Sequence, residues 1–163
     1  MDKVIENGQI VEDNYTLVAD KETLDPKYID DANAILPWGL YQRIKDQRPA
    51  TGNAVWLDSD ELPDAIQDDL SSFSLIAINF PAFTDGRGYS FAYRLRHSFG
   101  YQGKLRAVGD VLIDQLSAFK RVGFDSFALR DDQDAEEALK HFSDFKDPYQ
   151  ASIEPSAPLF RKL

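Results

Sequence analysis

The chain predicts an α/β fold in which βα units repeat along a mainly parallel sheet, an open sheet or a partial barrel, preceded by an N-terminal β-hairpin. Three observations predict it. Short apolar runs of strand length alternate with segments whose apolar residues recur every three or four positions. No hairpin signal separates these runs, so consecutive strands need helical crossovers and run parallel. The helix stops also echo one another: Phe99-Gly100-Tyr101 and Val122-Gly123-Phe124 each set a glycine between apolar residues, as expected where a left-handed residue ends a helix. A closed eight-fold barrel takes about 250 residues, and the chain has 163.

The elements follow in order. Val4-Ile5-Glu6-Asn7-Gly8-Gln9-Ile10-Val11 puts Asn-Gly between β-branched pairs, the signature of a tight hairpin. Tyr15-Thr16-Leu17-Val18 offers that hairpin a third strand, so residues 1–20 read as a small antiparallel flap. Residues 21–31 are polar, contain Pro26 and read as a connection. The βα repeats occupy 34–146. Ala34-Ile35-Leu36-Pro37 is a short strand, and Leu40, Tyr41 and Ile44 mark a weak helix. Ala54-Val55-Trp56-Leu57 is a strand; Asp60 ahead of Leu62-Pro63 reads as a helix cap, with Leu62, Ile66 and Leu70 lining the helix. A strand at 75–80 precedes a helix at 90–99 carrying Phe91, Leu95 and Phe99 on one side. Leu105-Arg106-Ala107-Val108 is the next strand, after which Asp110 caps a helix built on Leu112, Ile113, Leu116 and Phe119. Residues 124–129 form one more strand, and Ala135, Ala138, Leu139, Phe142 and Phe145 a last amphipathic helix. One domain covers 1–150, and 151–163 form an extended tail.

Composition narrows function. Hydrophobic residues at 43% are enough for a folded core. The chain has no cysteine, which removes disulfides, thiolate zinc sites, cysteine-ligated clusters and thiol redox chemistry. A net charge of −10 repels phosphate backbones and argues against nucleic acid; it suits plain solvation or docking to a basic surface. Met1-Asp2-Lys3-Val4-Ile5-Glu6 lacks the apolar core of a signal peptide and no apolar run approaches membrane length. A cytoplasmic protein without a membrane partner is expected.

If the strands are parallel, Asp58, the loop Asp85-Gly86-Arg87-Gly88, Asp110 and Arg130 share the rim at the strands' carboxyl ends, where α/β proteins carry their sites. Gly86 and Gly88 permit close approach and positive φ, which would aim amides at an anion ahead of the following helix. Arg87 and Arg130 would supply guanidinium forks for a small anionic ligand, and Asp85 or Asp110 an acid–base group. The competing interpretation has Asp85 capping its helix and Arg87 paired with an acid. Arg106 sits mid-strand, where a parallel sheet covered on both faces is apolar; either this strand lies at an edge with one wet face, or Arg106 is buried and needs a carboxylate, with Asp110 or Asp85 expected, and Arg106 is a further anion-binding candidate. Arg94, Arg96, His97 and His141 read as solvated or paired, Asp114-Gln115 as packed against a neighbouring loop or subunit, or equally as binding residues. No histidine has a partner at metal-ligand spacing.

The stretches Phe80-Pro81-Ala82-Phe83-Thr84-Asp85-Gly86-Arg87-Gly88-Tyr89-Ser90, Gly103-Lys104-Leu105-Arg106-Ala107-Val108-Gly109-Asp110-Val111-Leu112, Asp114-Gln115-Leu116 and Arg121-Val122-Gly123-Phe124-Asp125-Ser126-Phe127 resemble a bacterial family, domain of unknown function nine-three-four, commonly encoded beside assimilatory sulfite reductase. The resemblance runs from the N-terminal hairpin to Tyr149-Gln150. It implies a role in sulfite reduction, with sulfite reductase components as partners; members are often labelled probable oxidoreductases. It carries across no catalytic residue and names no cofactor. The sequence offers no redox group, so an accessory protein of sulfite reduction is expected. A small α/β enzyme binding an anionic metabolite on the rim, or a flavin-dependent oxidoreductase, is the alternative.

Overall fold

A computed structural model describes residues 3–144. One eight-stranded sheet runs through it. Strands β1 (Lys3–Glu6) and β2 (Gln9–Glu12) form the hairpin, β3 (Thr16–Leu17) follows, and β4 (Ala34–Pro37), β5 (Asn53–Leu57), β6 (Phe73–Phe80), β7 (Lys104–Gly109) and β8 (Ser126–Phe127) are the strands of the repeats. Between them lie α1 (Trp38–Ile44), a run of 3₁₀ turns at Pro63–Ser72, α2 (Arg87–His97) and α3 (Leu116–Val122), and α4 (Ala135–Asp144) follows β8. The spatial order is β2-β1-β8-β7-β6-β5-β4-β3, and every pair from β3 to β8 is parallel. From β3 to β8, neighbours in sequence are therefore neighbours in space, and each crossover returns to the same face.

The alternation of side chains decides where the core sits. Ala34 and Leu36, Val55 and Leu57, Ile76, Ile78 and Phe80, Leu105 and Ala107, and Phe127 face the helices and pack against Tyr41, Ile66, Phe91, Leu95, Leu116 and Phe119. On the opposite, hollow face Ile35, Ala54, Trp56, Leu75, Ala77 and Val108 make a second, smaller core with Tyr15. Both faces of β5 and β6 are thus covered, which is why their sequences read as continuous apolar runs.

The N-terminal segment is more than a flap. Asn7 and Gly8 take φ of 52° and 77°, as the tight hairpin turn requires, but the hairpin is built into the sheet. β1 pairs antiparallel with β8, whereas β3, expected as the hairpin's third strand, pairs parallel with β4 at the far edge. Eight strands at about 4.8 Å spacing make a flat sheet about 34 Å wide. Only residues 13–15 separate β2 at one edge from β3 at the other, and four residue steps reach at most about 14 Å. The sheet must curl until its edges approach, and it forms a half-barrel with the segment Asp13–Tyr15 lying across its hollow.

Other expectations shift locally. Asp60 is not a cap: Leu62 holds that position without a side-chain bond and is 63% exposed rather than packed on the helix face. Asp110 does not cap α3, which is entered through a 3₁₀ turn at Ile113–Gln115. The strand expected at 124–129 shortens to Ser126–Phe127. Phe145 and the tail lie outside the described residues, as does the side chain of Phe142. Among the described residues no helix is long and apolar enough to cross a membrane.

Candidate functional site

Parallel strands bring the ends of β5, β6, β7 and β8 to one rim, and the polar residues placed there touch one another. Asp58, just past β5, accepts from Asn79 Nδ2 at 3.0 Å, from the Ser59 N–H at 2.9 Å and from Lys21 Nζ at 3.2 Å. Burial pushes its carboxyl up, but those hydrogen bonds prevail and hold it below the usual aspartate value. Glu61 closes the same turn by accepting the Asp58 N–H at 2.8 Å.

The β6–α2 loop comes next. Asp85 accepts from the Arg87 backbone N–H and Nε, both at 3.0 Å, and from its terminal nitrogen at 2.7 Å. The Arg87 guanidinium, with the Arg87 N–H, lowers the Asp85 carboxyl to about 2. Arg87 also reaches Ser59 Oγ at 2.9 Å, tying this loop to the one after β5. The glycines play a different part from the one expected. Gly86 has φ of −90°, and neither Gly86 nor Gly88 is among the positive-φ glycines. At Gly88 a Cβ would stand 2.5 Å from Phe80 Cζ and 2.6 Å from Cε1, so glycine here serves the close packing of α2 on β6. The anion that meets the loop's amide is the chain's own Asp85.

After β7, Asp110 accepts from the Phe83 N–H at 3.0 Å and from Arg130 at 3.1 Å. Arg130 is gripped from its other side by Asp132, at 2.7 and 2.8 Å, and these two partners raise its pKa while Asp132 falls to about 2. The turn into Asp110 depends on Gly109, whose φ is 92° and whose Cβ would lie 2.5 Å from the Phe80 carbonyl oxygen. Gln115 Nε2 donates to the Phe83 carbonyl at 2.7 Å. The Phe83 backbone is therefore held at both its N–H and its C=O, while its side chain is 51% exposed.

Arg106 is not part of this rim. Its guanidinium, 2% exposed, lies in the hollow and donates to Ser126 Oγ at 2.8 Å, Asp13 at 3.0 Å and Glu6 at 2.9 Å, with the Tyr15 ring 5.4 Å away. The expected partners Asp85 and Asp110 are replaced by two acids of the N-terminal segment. Glu6 is shared with Lys104 and Ser126. Burial pushes its carboxyl up, yet the hydrogen bonds from Lys104, Arg106 and Ser126 hold it below its ordinary value. The network fastens hairpin, crossing segment and barrel strands together.

The remaining residues contact other parts of the chain. Arg94 pairs with Asp64 at 2.6 Å, and Arg96 donates to the carbonyls of Gly123, Tyr101 and Gly103. Tyr89 stacks on Phe119 at 4.9 Å, and the His97 ring lies 4.1 Å from that of Tyr93. Sequence reasoning missed Asn79, Ser59 and Phe83 on the rim and Glu6 and Asp13 in the hollow. Asn79 left a signal: a polar residue closing an apolar strand on the same alternation as Leu75 and Ala77.

Two chemical consequences follow. Lys21, Arg87 and Arg130 each already face a carboxylate of the chain, so an incoming anion must compete with Asp58, Asp85 or Asp132. Asp85 and Asp132, at about 2, stay ionised at neutral pH and are far from the value a general acid needs. Asp60, Glu61 and Asp131 add to the rim without an added cation, which leaves it acidic. Among the described residues no three His, Cys, Asp or Glu side chains are grouped to hold a metal ion.

Residues 54–160 match a family described as bacterial protein of unknown function (DUF934). The chain belongs to this family. The DUF934 match opens on β5 and includes every strand-end loop of the rim, from Asp58 to Asp132; the N-terminal hairpin lies outside it, and its end lies beyond Gln150. No curated protein and no solved structure matches the chain.

Proposed function

We propose that this DUF934 protein is an accessory component of assimilatory sulfite reduction that acts by docking to the sulfite reductase system, without a redox group of its own. The sulfite reductase assignment rests on the family resemblance. The docking mode rests on one observation: the rim's cations are consumed by the rim's own carboxylates, so the face turned outward is acidic and structurally fixed rather than reactive. Such a face suits a basic protein surface, with charge steering the encounter and setting its salt dependence. A chain without cysteine contributes no thiol or thiolate-ligated cluster to the electron path, which fits a helper better than a carrier.

Co-purification of the tagged full chain with sulfite reductase, at low and at high salt, tests this. Association at low salt that weakens as salt rises is expected, together with impaired growth of a deletion strain on sulfate or sulfite. No association at either salt, with normal sulfite assimilation in the deletion strain, refutes the proposal.

A further inference from the structure

We infer that the β6–α2 loop is the anchor of a protein-docking face, that Phe83 is its apolar contact, and that the surface it takes is basic. The inference deepens the docking reading above and rests on it, but not on which protein is the partner.

Exposure of a single phenylalanine is ordinary; the way Phe83 is held is not. A mobile apolar side chain on a slack loop loses entropy when it binds. Here the loop is fixed before any partner arrives. The Phe83 N–H is bound by the Asp110 carboxylate at 3.0 Å and its C=O by Gln115 at 2.7 Å. Asp85 N–H closes the turn onto the Ala82 carbonyl at 2.9 Å, and Arg87 ties the loop to Ser59. These bonds cross from β6 to the loops after β5 and β7, so the ring projects from three neighbouring strand ends rather than from one flexible turn. Preorganised aromatic residues ringed by polar groups are the usual hot spots of protein interfaces. Leu62, 63% exposed after β5, is a second apolar residue on the same rim.

Charge selects the partner. The carboxylates around Phe83 outnumber the cations, and Arg87 and Arg130 are already neutralised at 2.7 Å by Asp85 and Asp132. That field repels nucleic acid and anionic lipid. It also opposes the rim-to-rim pairing of two copies of this chain. A basic protein surface remains.

The test places a photo-crosslinking phenylalanine analogue at position 83 of the full chain, in the bacterium that encodes it, with Tyr93 as control. Tyr93 is 47% exposed on α2, six residues along the helix from Arg87 at its rim end. The expected result is an adduct at 83 in excess of 93. The captured protein, once purified, binds the unmodified chain more weakly as salt rises and binds Phe83→Ala roughly thirty-fold more weakly. Phe83→Ala keeps its melting temperature, because the ring is not core. No excess at 83, an adduct with a second copy, or a purified partner indifferent to Phe83→Ala or to salt overturns the inference. A specific adduct with a protein outside the sulfite reductase system refutes the sulfite assignment and leaves the surface standing. Sulfite reductase that associates but crosslinks at 93 and not at 83 does the reverse.

Discussion

Truncating Glu6 to alanine removes from the half-barrel a carboxylate that serves Arg106, Lys104 and Ser126 at 2.9–3.0 Å. Breaking a buried ion pair by deleting one partner costs about 3–5 kcal/mol. Arg106 keeps Asp13, and Glu6 is 16% exposed, so the low end applies: about 3 kcal/mol, or a fall in Tm of about 6–12 °C for a chain of this size. Arg106→Met is predicted to cost less, about 1–2 kcal/mol. It leaves no charge stranded, since Glu6 retains Lys104 and Ser126, and Asp13 retains the Tyr15 N–H at 3.0 Å. Urea unfolding followed by the fluorescence of buried Trp38 and Trp56 measures both. Proton linkage gives a second check. Glu6 is depressed below its ordinary value of 4.5; the unfolded chain therefore takes up the proton first as pH falls. Its contribution is complete above about pH 4.5 and fades as pH drops through the folded value. The Glu6→Ala penalty should shrink correspondingly in acid. A penalty below about 0.5 kcal/mol at pH 7, or Arg106→Met costing more than Glu6→Ala, refutes the network as described.

Three further outcomes follow from the site. Gly88→Ala presses a methyl onto Phe80, itself wedged between Tyr89, Phe119 and Phe124, and should cost about 1–3 kcal/mol in urea unfolding. Gly109→Ala adds left-handed strain to a clash with the rigid Phe80 carbonyl, costs about 2–4 kcal/mol, and loosens amide-exchange protection of the Phe83 N–H by displacing Asp110. Asp85 contributes stability above its ordinary 3.8 that is lost as pH falls through about 2; Asp85→Asn should flatten the acid limb of the Tm–pH curve in that window and leave the curve near neutrality little changed in shape.

The parallel repeats were legible because their signals are local. Strand-length apolar runs, four-residue spacing in α2, and glycines that end α2 and α3, with Gly100 at φ 68° and Gly123 at φ 118°, all lie within short windows. The place of the hairpin was not legible. Asn7-Gly8 dictates a turn, but whether β1 joins β8 or stands apart depends on a pairing about 120 residues distant. The same holds for Arg106. A charge inside an apolar strand announces that a carboxylate must exist, yet the acids that meet it are 93 and 100 positions away in sequence. They reach it only because the sheet curls and the chain crosses its own hollow. On the rim, the shared direction of the parallel strands puts Asp58, Asp110 and Arg130 on the same edge. What strand direction does not encode is that Arg87 folds back onto Asp85, or that Gly88 answers to a ring on β6 instead of to an anion.

The most direct measurement is a thermal shift of the full chain with sulfite, sulfate, phosphate and small dicarboxylates, beside Arg87→Ala as the control for general salt effects. A rim whose guanidinium groups are already occupied predicts the same small response in both proteins. A rise of several degrees for one anion, absent in Arg87→Ala, would contradict the account and identify the rim as a receptor for that anion.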